Sequence, residues 1–170
     1  MKKLLNKFSS KKGFTPIKSG FTLIELLIVV AIIAALAIAV FVALNPAGRL
    51  QDTKNARRTA DVDTILTAIH ASIVDSGGAL PSPLEKNYSE SQLGVGSGCG
   101  LAQNGCVTGD ACTDLSASLS KYLKSIPVDP SGGTTYTAAK TGYSVKVDAN
   151  NIVTVSACGA EKSASISASR

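Results

Sequence analysis

The residues with the clearest potential for chemistry lie near the N-terminus, where one carboxylate interrupts a long apolar segment. Glu25 is the only charged residue among the 24 from Phe21 to Leu44. A helix of that length spans about 36 Å, which is enough to cross the hydrocarbon core of a bilayer. An ionisable side chain in that core costs about 3 kcal/mol or more, so its presence indicates a function beyond anchoring. We therefore treat Glu25 as a functional residue.

A basic segment precedes the apolar run. Residues 1–20 contain six lysines and no acid, within a chain whose formal net charge is +5. Removing those six charges leaves −1 for the remaining residues, so the basic balance does not indicate nucleic-acid binding. Basic residues beside a membrane span stay on the cytoplasmic side, which predicts that the C-terminal part of the chain faces outward.

The sequence from Ser19 to Glu25, Ser-Gly-Phe-Thr-Leu-Ile-Glu, resembles the class III signal of type IV pilins and of the pseudopilins of type II secretion. The resemblance implies that a prepilin peptidase cuts between Gly20 and Phe21 and methylates the new N-terminal Phe21. It also implies that the Glu25 carboxylate meets the Phe21 amine of a neighbouring subunit during filament assembly. A pair between the same two groups within one subunit is the alternative before assembly.

Two other interpretations of the N-terminus fit the sequence less well. Residues 11–15 form a partial second copy of the signal, but a cut there would place Lys18 at the fifth position of the product. A secretory signal peptide with a cleavage site near Ala37 and Ala39 is the other alternative. The apolar run continues past those alanines, and this cleavage would leave Glu25 without a purpose.

The segment after the apolar run predicts a second helix. Asn45-Pro46 interrupts the run, because proline lacks an amide donor and clashes with the preceding turn. Residues 46–75 then read as an amphipathic helix that stops at Ser76-Gly77-Gly78. Its apolar residues recur at three- and four-residue steps and form one stripe: Val62, Ile65, Leu66, Ile69 and Ile73.

The C-terminal half predicts a small, partly β-structured head. Residues 76–111 are rich in glycine and proline and read as a loop, and residues 113–124 predict a short helix. Alternating runs at 134–138, 143–147 and 152–154 predict an antiparallel sheet with a turn at 148–151. The Ser- and Ala-rich residues 159–170 predict a flexible tail.

These elements give an α+β fold of the pilin type, with a long N-terminal helix packed on a small antiparallel sheet. The expected division of the chain is a removed leader at 1–20, a transmembrane and filament-core helix at 21–44, its amphipathic continuation at 46–75, a globular head at 76–158 and a tail at 159–170.

Four cysteines lie in the part of the chain that is predicted to face outward: Cys99, Cys106, Cys112 and Cys158. Disulfides are the default there, and four cysteines allow three pairings. The pilin resemblance favours Cys112–Cys158, which would close the C-terminal region, together with Cys99–Cys106 inside the glycine-rich loop. A zinc site is the alternative, but the cysteine spacings lack a Cys-x-x-Cys knuckle.

The sequence offers little for other ligands. His70 is the only histidine and flanks the apolar stripe, so we expect a partly buried or surface side chain and no metal site. Asp129 and Asp148 are the acids nearest to a loop that holds calcium in pseudopilins, and two carboxylates fall short of an oxygen cage. No cofactor is predicted.

Two surface patterns also have simple explanations. The basic residues Arg49, Lys54, Arg57 and Arg58 are interleaved with acids, which favours a solvated helix face over a nucleic-acid site. Asn87-Tyr88-Ser89 fits the short acceptor pattern for N-glycosylation, a pattern that also occurs often by chance.

No catalytic constellation is found, and we predict that the protein is not an enzyme. The predicted function is that of a prepilin, a structural subunit that polymerises into a type IV pilus-like filament. Its expected partners are copies of itself, the prepilin peptidase, the pilus or secretion machinery, and the inner membrane before assembly. The head would lie outside the cytoplasmic membrane and then on the cell surface. The alternatives are a major pseudopilin of type II secretion and a DNA-uptake or adhesive pilin.

Overall fold

A computed structural model of the chain describes residues 20–133 and 135–170. The leader predicted at 1–20 therefore lies outside the described residues except for Gly20. The chain divides into two compact units between Leu44 and Asn45.

The first unit contains helix α1, Leu23–Leu44, none of whose residues is buried. Its large apolar side chains are between 45% and 76% exposed, and they occur on every face of the helix. The helical residues from Leu23 onward include an 18-residue window of mean hydropathy 3.3, so by length and composition they could cross a membrane. A helix that is apolar all round needs burial in lipid or against other protein.

The second unit begins with helix α2, Pro46–Asp75. Asn45 caps this helix, because its side-chain oxygen accepts a hydrogen bond from the Gly48 amide at 3.2 Å. Its backbone has φ 41°, in the left-handed region. Pro46 stands at the first helical position, where its missing amide donor has no helical partner to lose. Proline at this point therefore starts a helix.

The predicted apolar stripe of α2 forms one side of the core. Val62, Ile65, Leu66 and Ile69 are buried, and Ile73 packs against them while partly exposed. The stripe prediction is confirmed.

Two antiparallel sheets form the rest of the head. Their strands are β1 Ser91–Gln92, β2 Leu101–Gln103, β3 Cys106–Thr108, β4 Tyr143–Val147, β5 Val153–Ala157 and β6 Ile166–Ser169. The larger sheet has the order β1-β4-β5-β6, and β2 and β3 form a separate hairpin. The core joins the α2 stripe to apolar side chains of β4 and β5, namely Tyr143, Val145, Val147, Val153 and Val155.

The predicted strands at 143–147 and 152–154 are confirmed, with β5 one residue later and longer. The Asp148 carboxylate shapes the turn between them by accepting hydrogen bonds from the Asn150 amide at 2.7 Å and the Ile152 amide at 2.8 Å. Such bonds are the reason that aspartate favours turns.

Three predictions about the head are wrong. The tail expected at 159–170 contains β6, whose Ile166 and Ala168 pack against the core while its serines face outward. This two-residue alternation is too short and too serine-rich to stand out in the sequence. Of the strand expected at 134–138, residues 135–138 form turns and a single bridge, between Thr137 and Lys140; Thr134 lies outside the described residues.

The third wrong prediction is the short helix at 113–124. Residues 116–122 form successive turns, although Leu115 and Leu119 are buried as a helix edge would be. The Ser118 hydroxyl donates to the Ser82 carbonyl at 2.7 Å, and the Ser120 hydroxyl donates to the Ala117 carbonyl at 2.8 Å. Serine side chains that bond to the backbone in this way compete with helical hydrogen bonds.

Candidate functional site

The N-terminus of α1 is built around Thr22 and Glu25. The Glu25 carboxylate oxygen Oε2 accepts hydrogen bonds from the Thr22 amide and the Thr22 hydroxyl, both at 2.8 Å. The Glu25 amide in turn donates to the Thr22 hydroxyl oxygen at 3.2 Å. Thr22 is the residue before the helix and Glu25 its third residue, so the two form a reciprocal capping box.

This geometry holds the carboxylate at the positive end of the helix dipole, where a negative charge is favoured. Among the described residues, the Glu25 carboxylate accepts two hydrogen bonds, and both are accepted by Oε2. Oε1 is therefore able to accept a hydrogen bond from another group. The cap therefore orients Glu25 without satisfying it completely.

Gly20 and Phe21 lie outside the helix and are exposed. A Cβ atom added to Gly20 would meet no described atom within 4 Å. Packing within the described chain therefore does not require glycine here, so a requirement for glycine would come from a molecule that acts on this bond. The structure does not bring Phe21 and Glu25 of one chain together through any hydrogen bond among the described residues.

Sequence reasoning missed the role of Thr22. The available signal was the capping-box pattern, a threonine followed three residues later by glutamate at the start of an apolar run.

The N-terminal segment matches a known protein family. Residues 17–41 match the family described as the prokaryotic N-terminal methylation motif, and the match includes Gly20, Phe21 and Glu25. This motif supports the type IV pilin and pseudopilin family for the chain, and the α+β structure with its apolar N-terminal helix is consistent with a pilin fold. The N-terminal segment thus carries the motif that type IV pilin-like and pseudopilin precursors share. Pilin-type proteins are structural and not enzymatic. No curated protein and no solved structure matches the chain.

A second polar cluster lies inside the head, where Arg58 of α2 binds Asp129. The Arg58 Nε atom donates to Asp129 Oδ2 at 2.7 Å and Nη2 donates to Oδ1 at 2.8 Å, with both side chains fully buried. Arg58 also donates to Asn55 and Ser131 at 2.8 Å. Burial lowers the pKa of Arg58, but hydrogen bonding to Asp129 and its charge outweigh that effect and raise the pKa overall.

Asp129 and Asp148 therefore have structural roles. Asp129 holds α2 against the 127–133 loop, and Asp148 shapes the β4–β5 turn. Among the described residues, no group of three or more histidine, cysteine or acidic side chains could hold a metal ion.

Three of the four basic residues in the predicted cluster on α2 contact acids. Lys54 lies 3.1 Å from Glu161, Arg57 lies 3.8 Å from Asp61, and Arg58 is buried. The predicted solvated face is therefore wrong for Arg58, which is buried against Asp129.

Both predicted disulfide pairings are wrong. The structure joins Cys99 to Cys112 and Cys106 to Cys158. The β2–β3 hairpin decides this, because it turns the chain back between Cys99 and Cys112 and places Cys106 at the start of β3, beside the main sheet. Cys106 then meets the end of β5, where Cys158 follows directly.

The sequence did contain a signal for this hairpin. Asn104 and Gly105 have φ values of 49° and 84°, which is the left-handed conformation of a two-residue hairpin turn. An Asn-Gly pair between two short runs of strand-forming residues is the strongest short-range signal for a hairpin, so the segment predicted as a loop contains a hairpin.

Two further polar side chains complete the head. The Tyr143 hydroxyl donates to Asp61 at 2.7 Å, and burial together with this bond raises the pKa of Tyr143. His70 is half-buried, as expected, and its Nε2 atom has no hydrogen-bond partner among the described residues.

Proposed function

We propose that this chain is a prepilin that is cut between Gly20 and Phe21, methylated at Phe21 and polymerised through α1 into a pilus-like filament. The observation that carries the proposal is the capped, incompletely satisfied Glu25 at the start of a helix with no buried residue. A membrane anchor needs no such carboxylate, whereas a polymerising helix needs a group that sets register.

Cleavage would create a positive charge four residues before Glu25. The Phe21 amine and the Glu25 carboxylate are each costly in a dry environment unless they are paired. Thr22 already holds Oε2, so Oε1 is the oxygen that would receive the ammonium group of a neighbouring subunit. Such a pair fixes one axial position between helices, as a lone polar residue fixes register in a coiled coil.

The apolar surface of α1 would supply the driving force. Because lipid tails are already apolar, helices that leave the membrane for a filament gain mainly from close van der Waals packing against one another. Contacts between identical subunits that do not close into a ring generate helical filaments. The partners proposed on this basis are further copies of the chain, the prepilin peptidase and the assembly machinery of the cell envelope.

The location follows the same sequence of events. The precursor would span the cytoplasmic membrane once, with the disulfide-bonded head outside, and the assembled filament would lie at the cell surface. Disulfides persist in that oxidising environment.

The test compares wild type with Glu25→Ala and Glu25→Gln in cells that contain a prepilin peptidase and its assembly machinery. Gln can still close the capping box but carries no charge, whereas Ala removes both cap and charge. We expect N-terminal mass spectrometry to find methylated Phe21 in all three proteins. We expect sheared filaments from wild type alone, because the intersubunit pair requires the charge.

Asp63→Asn is the matched control, since it removes an exposed carboxylate on α2 and should leave both processing and assembly unchanged. Filaments from Glu25→Gln would show that the cap and not the charge matters. An uncut chain, or one that starts near residue 40, would overturn the prepilin proposal. Correct cleavage with only short filaments or none from wild type would favour a major pseudopilin-like subunit instead.

A further inference from the structure

The segment from Glu85 to Ser89 stands apart from the machinery described above. It forms a tight turn on the surface of the head, in which the Tyr88 amide donates to the Glu85 carbonyl at 3.1 Å. The turn is held to the head by Tyr88, whose hydroxyl lies 3.0 Å from the Thr113 hydroxyl and whose carbonyl accepts from the Val147 amide at 3.1 Å. We propose that Asn87 in this turn is an acceptor site for an N-linked glycan.

The positions of the side chains match what such an acceptor requires. Asn87 and Ser89 are exposed, while Tyr88 between them is half-buried and points its hydroxyl to Thr113. The two residues that define an Asn-x-Ser acceptor therefore face solvent, and the residue between them, which the pattern leaves free, holds the turn in place. Among the described residues, neither the side-chain carboxamide of Asn87 nor the Ser89 hydroxyl has a hydrogen-bond partner.

The backbone also presents Asn87 outward. Its φ is 62°, in the left-handed region that asparagine tolerates better than most residues, and its amide donates to the Asp148 carbonyl at 3.3 Å. Asn87 thus projects from a fixed turn next to the β4–β5 connection and is not buried by neighbouring strands. Asn87-Tyr88-Ser89 is the one Asn-x-Ser or Asn-x-Thr segment in the whole sequence that lacks proline at the middle position.

The surroundings leave room for a sugar and for an enzyme. A groove of about 350 Å³ lies between this turn and the backbone at Gly109 and Ala111. Glu85 lines the groove two residues before the acceptor and is exposed, so its carboxylate is available to a basic side chain of a transferase. A groove lined mainly by polar residues suits a hydroxyl-rich first sugar.

The transfer step needs a glycan donor of the lipid-diphosphate class. The Asn87 Nδ2 atom forms a bond to C1 of the first sugar, and the bond from C1 to the diphosphate oxygen breaks. The lipid diphosphate leaves with that electron pair, and one amide proton passes to a base of the transferase. Nothing is oxidised or reduced. The donor and the transferase are membrane-bound, which suits a chain held at the membrane by α1 before assembly.

The test is co-expression of the full chain with a membrane oligosaccharyltransferase and a polyprenyl-diphosphate glycan that begins with an N-acetylhexosamine. A second acceptor protein that this enzyme already modifies serves as the positive control. We expect peptide mass spectrometry to find the glycan on the peptide that contains Asn87. Asn87→Gln and Ser89→Ala should remove it, Ser89→Thr should keep it, and the matched control Asn150→Gln should leave it unchanged.

Unmodified wild-type chain beside a modified positive control would overturn the proposal. A glycan that survives in Asn87→Gln would overturn it as well, since the sugar would then be attached elsewhere. Unchanged occupancy in Glu85→Gln would overturn the role given to Glu85. Thermal unfolding of each variant, with both disulfides intact by mass, shows that a loss of glycan does not reflect misfolding. The measurement is made on the membrane-held precursor, so its result does not depend on filament assembly.

Discussion

Helix α1 and helix α2 are separated by one residue, yet they differ in where their apolar surface is buried. In α1 every residue remains accessible, whereas α2 buries Val62, Ile65, Leu66 and Ile69 against the sheet. The stripe on α2 is narrow because charged and polar residues occupy its other faces. The apolar surface of α1 has no polar boundary. The apolar surface of α2 is therefore buried by its own chain, whereas no described residue buries the apolar surface of α1.

The polar groups of the two regions differ in the same way. Arg58 donates four hydrogen bonds, to Asp129, Asn55 and Ser131, all within the second unit. Among the residues that the structure describes, Glu25 has one partner, Thr22. The partners of Arg58 hold α2 against the head, whereas Glu25 keeps one carboxylate oxygen for the assembly role that we propose.

The largest effect on the head should come from Asp129→Ala. The change leaves Arg58 buried without its carboxylate, and removal of one member of a buried pair costs about 3–5 kcal/mol. Denaturant unfolding of the full chain in detergent, followed by tyrosine fluorescence, measures this cost, because all four tyrosines lie in the head.

Asp52→Ala is the control for that prediction. Asp52 pairs with Lys162 at 2.6 Å, but both side chains are substantially exposed, so the change should cost no more than about 1 kcal/mol. Equal costs for the two variants would contradict the difference drawn between buried and exposed pairs.

The second prediction compares one apolar truncation in each helix. Ile65 is fully buried, and Ile65→Ala should destabilise the head by about 2–5 kcal/mol through lost contacts and a cavity. Ile33 is 59% exposed, and Ile33→Ala should leave the unfolding of the head unchanged. The same denaturant titration checks both variants, and destabilisation of the head by Ile33→Ala would contradict the independence of α1.

The third prediction concerns the two disulfides. Cys106–Cys158 joins residues 52 apart in sequence and Cys99–Cys112 joins residues 13 apart, so chain entropy predicts stabilisation of about 4 and about 3 kcal/mol respectively. Paired serine substitutions at each bridge, measured by denaturant unfolding, should differ by about 1 kcal/mol in that order. The reverse order would show that local contacts, and not loop length, determine how much each disulfide stabilises the head.

The smallest expected effect is on alkaline stability. Burial and the bond to Asp61 raise the pKa of Tyr143, so its stabilising contribution is complete below the unfolded-state pKa near 10 and is lost as pH rises above it. Between pH 10 and pH 11 the free energy of unfolding of wild type should therefore fall by about 1 kcal/mol more than that of Tyr143→Phe. Between pH 6 and pH 8 the two stability curves should run parallel, and parallel curves above pH 10 would contradict the prediction.

Residue patterns of short range were sufficient for much of this protein. The signal at Gly20, Phe21 and Glu25, the apolar α1, the stripe of α2 and the β4–β5 hairpin all depend on spacing within about 30 residues. Periodicity and turn chemistry act over such distances, so the sequence predicts them directly.

The tertiary structure alone decided which distant residues meet. Arg58 and Asp129 are 71 residues apart and were assigned to unrelated features, a solvated helix face and a loop. Strand β6 exists because β5 offers it an edge and the core accepts Ile166 and Ala168, although its own sequence resembles a tail.

The disulfide pairing depends both on local sequence patterns and on contacts between distant segments. By itself, the sequence determined that all four cysteines lie in the C-terminal head. Its Asn104-Gly105 pair also specified the hairpin that separates Cys99 from Cys112. Which cysteine met Cys158 depended on the docking of that hairpin against the main sheet, near Ser144. Docking of this kind is governed by packing between segments far apart in the chain, and no local pattern of residues encodes it.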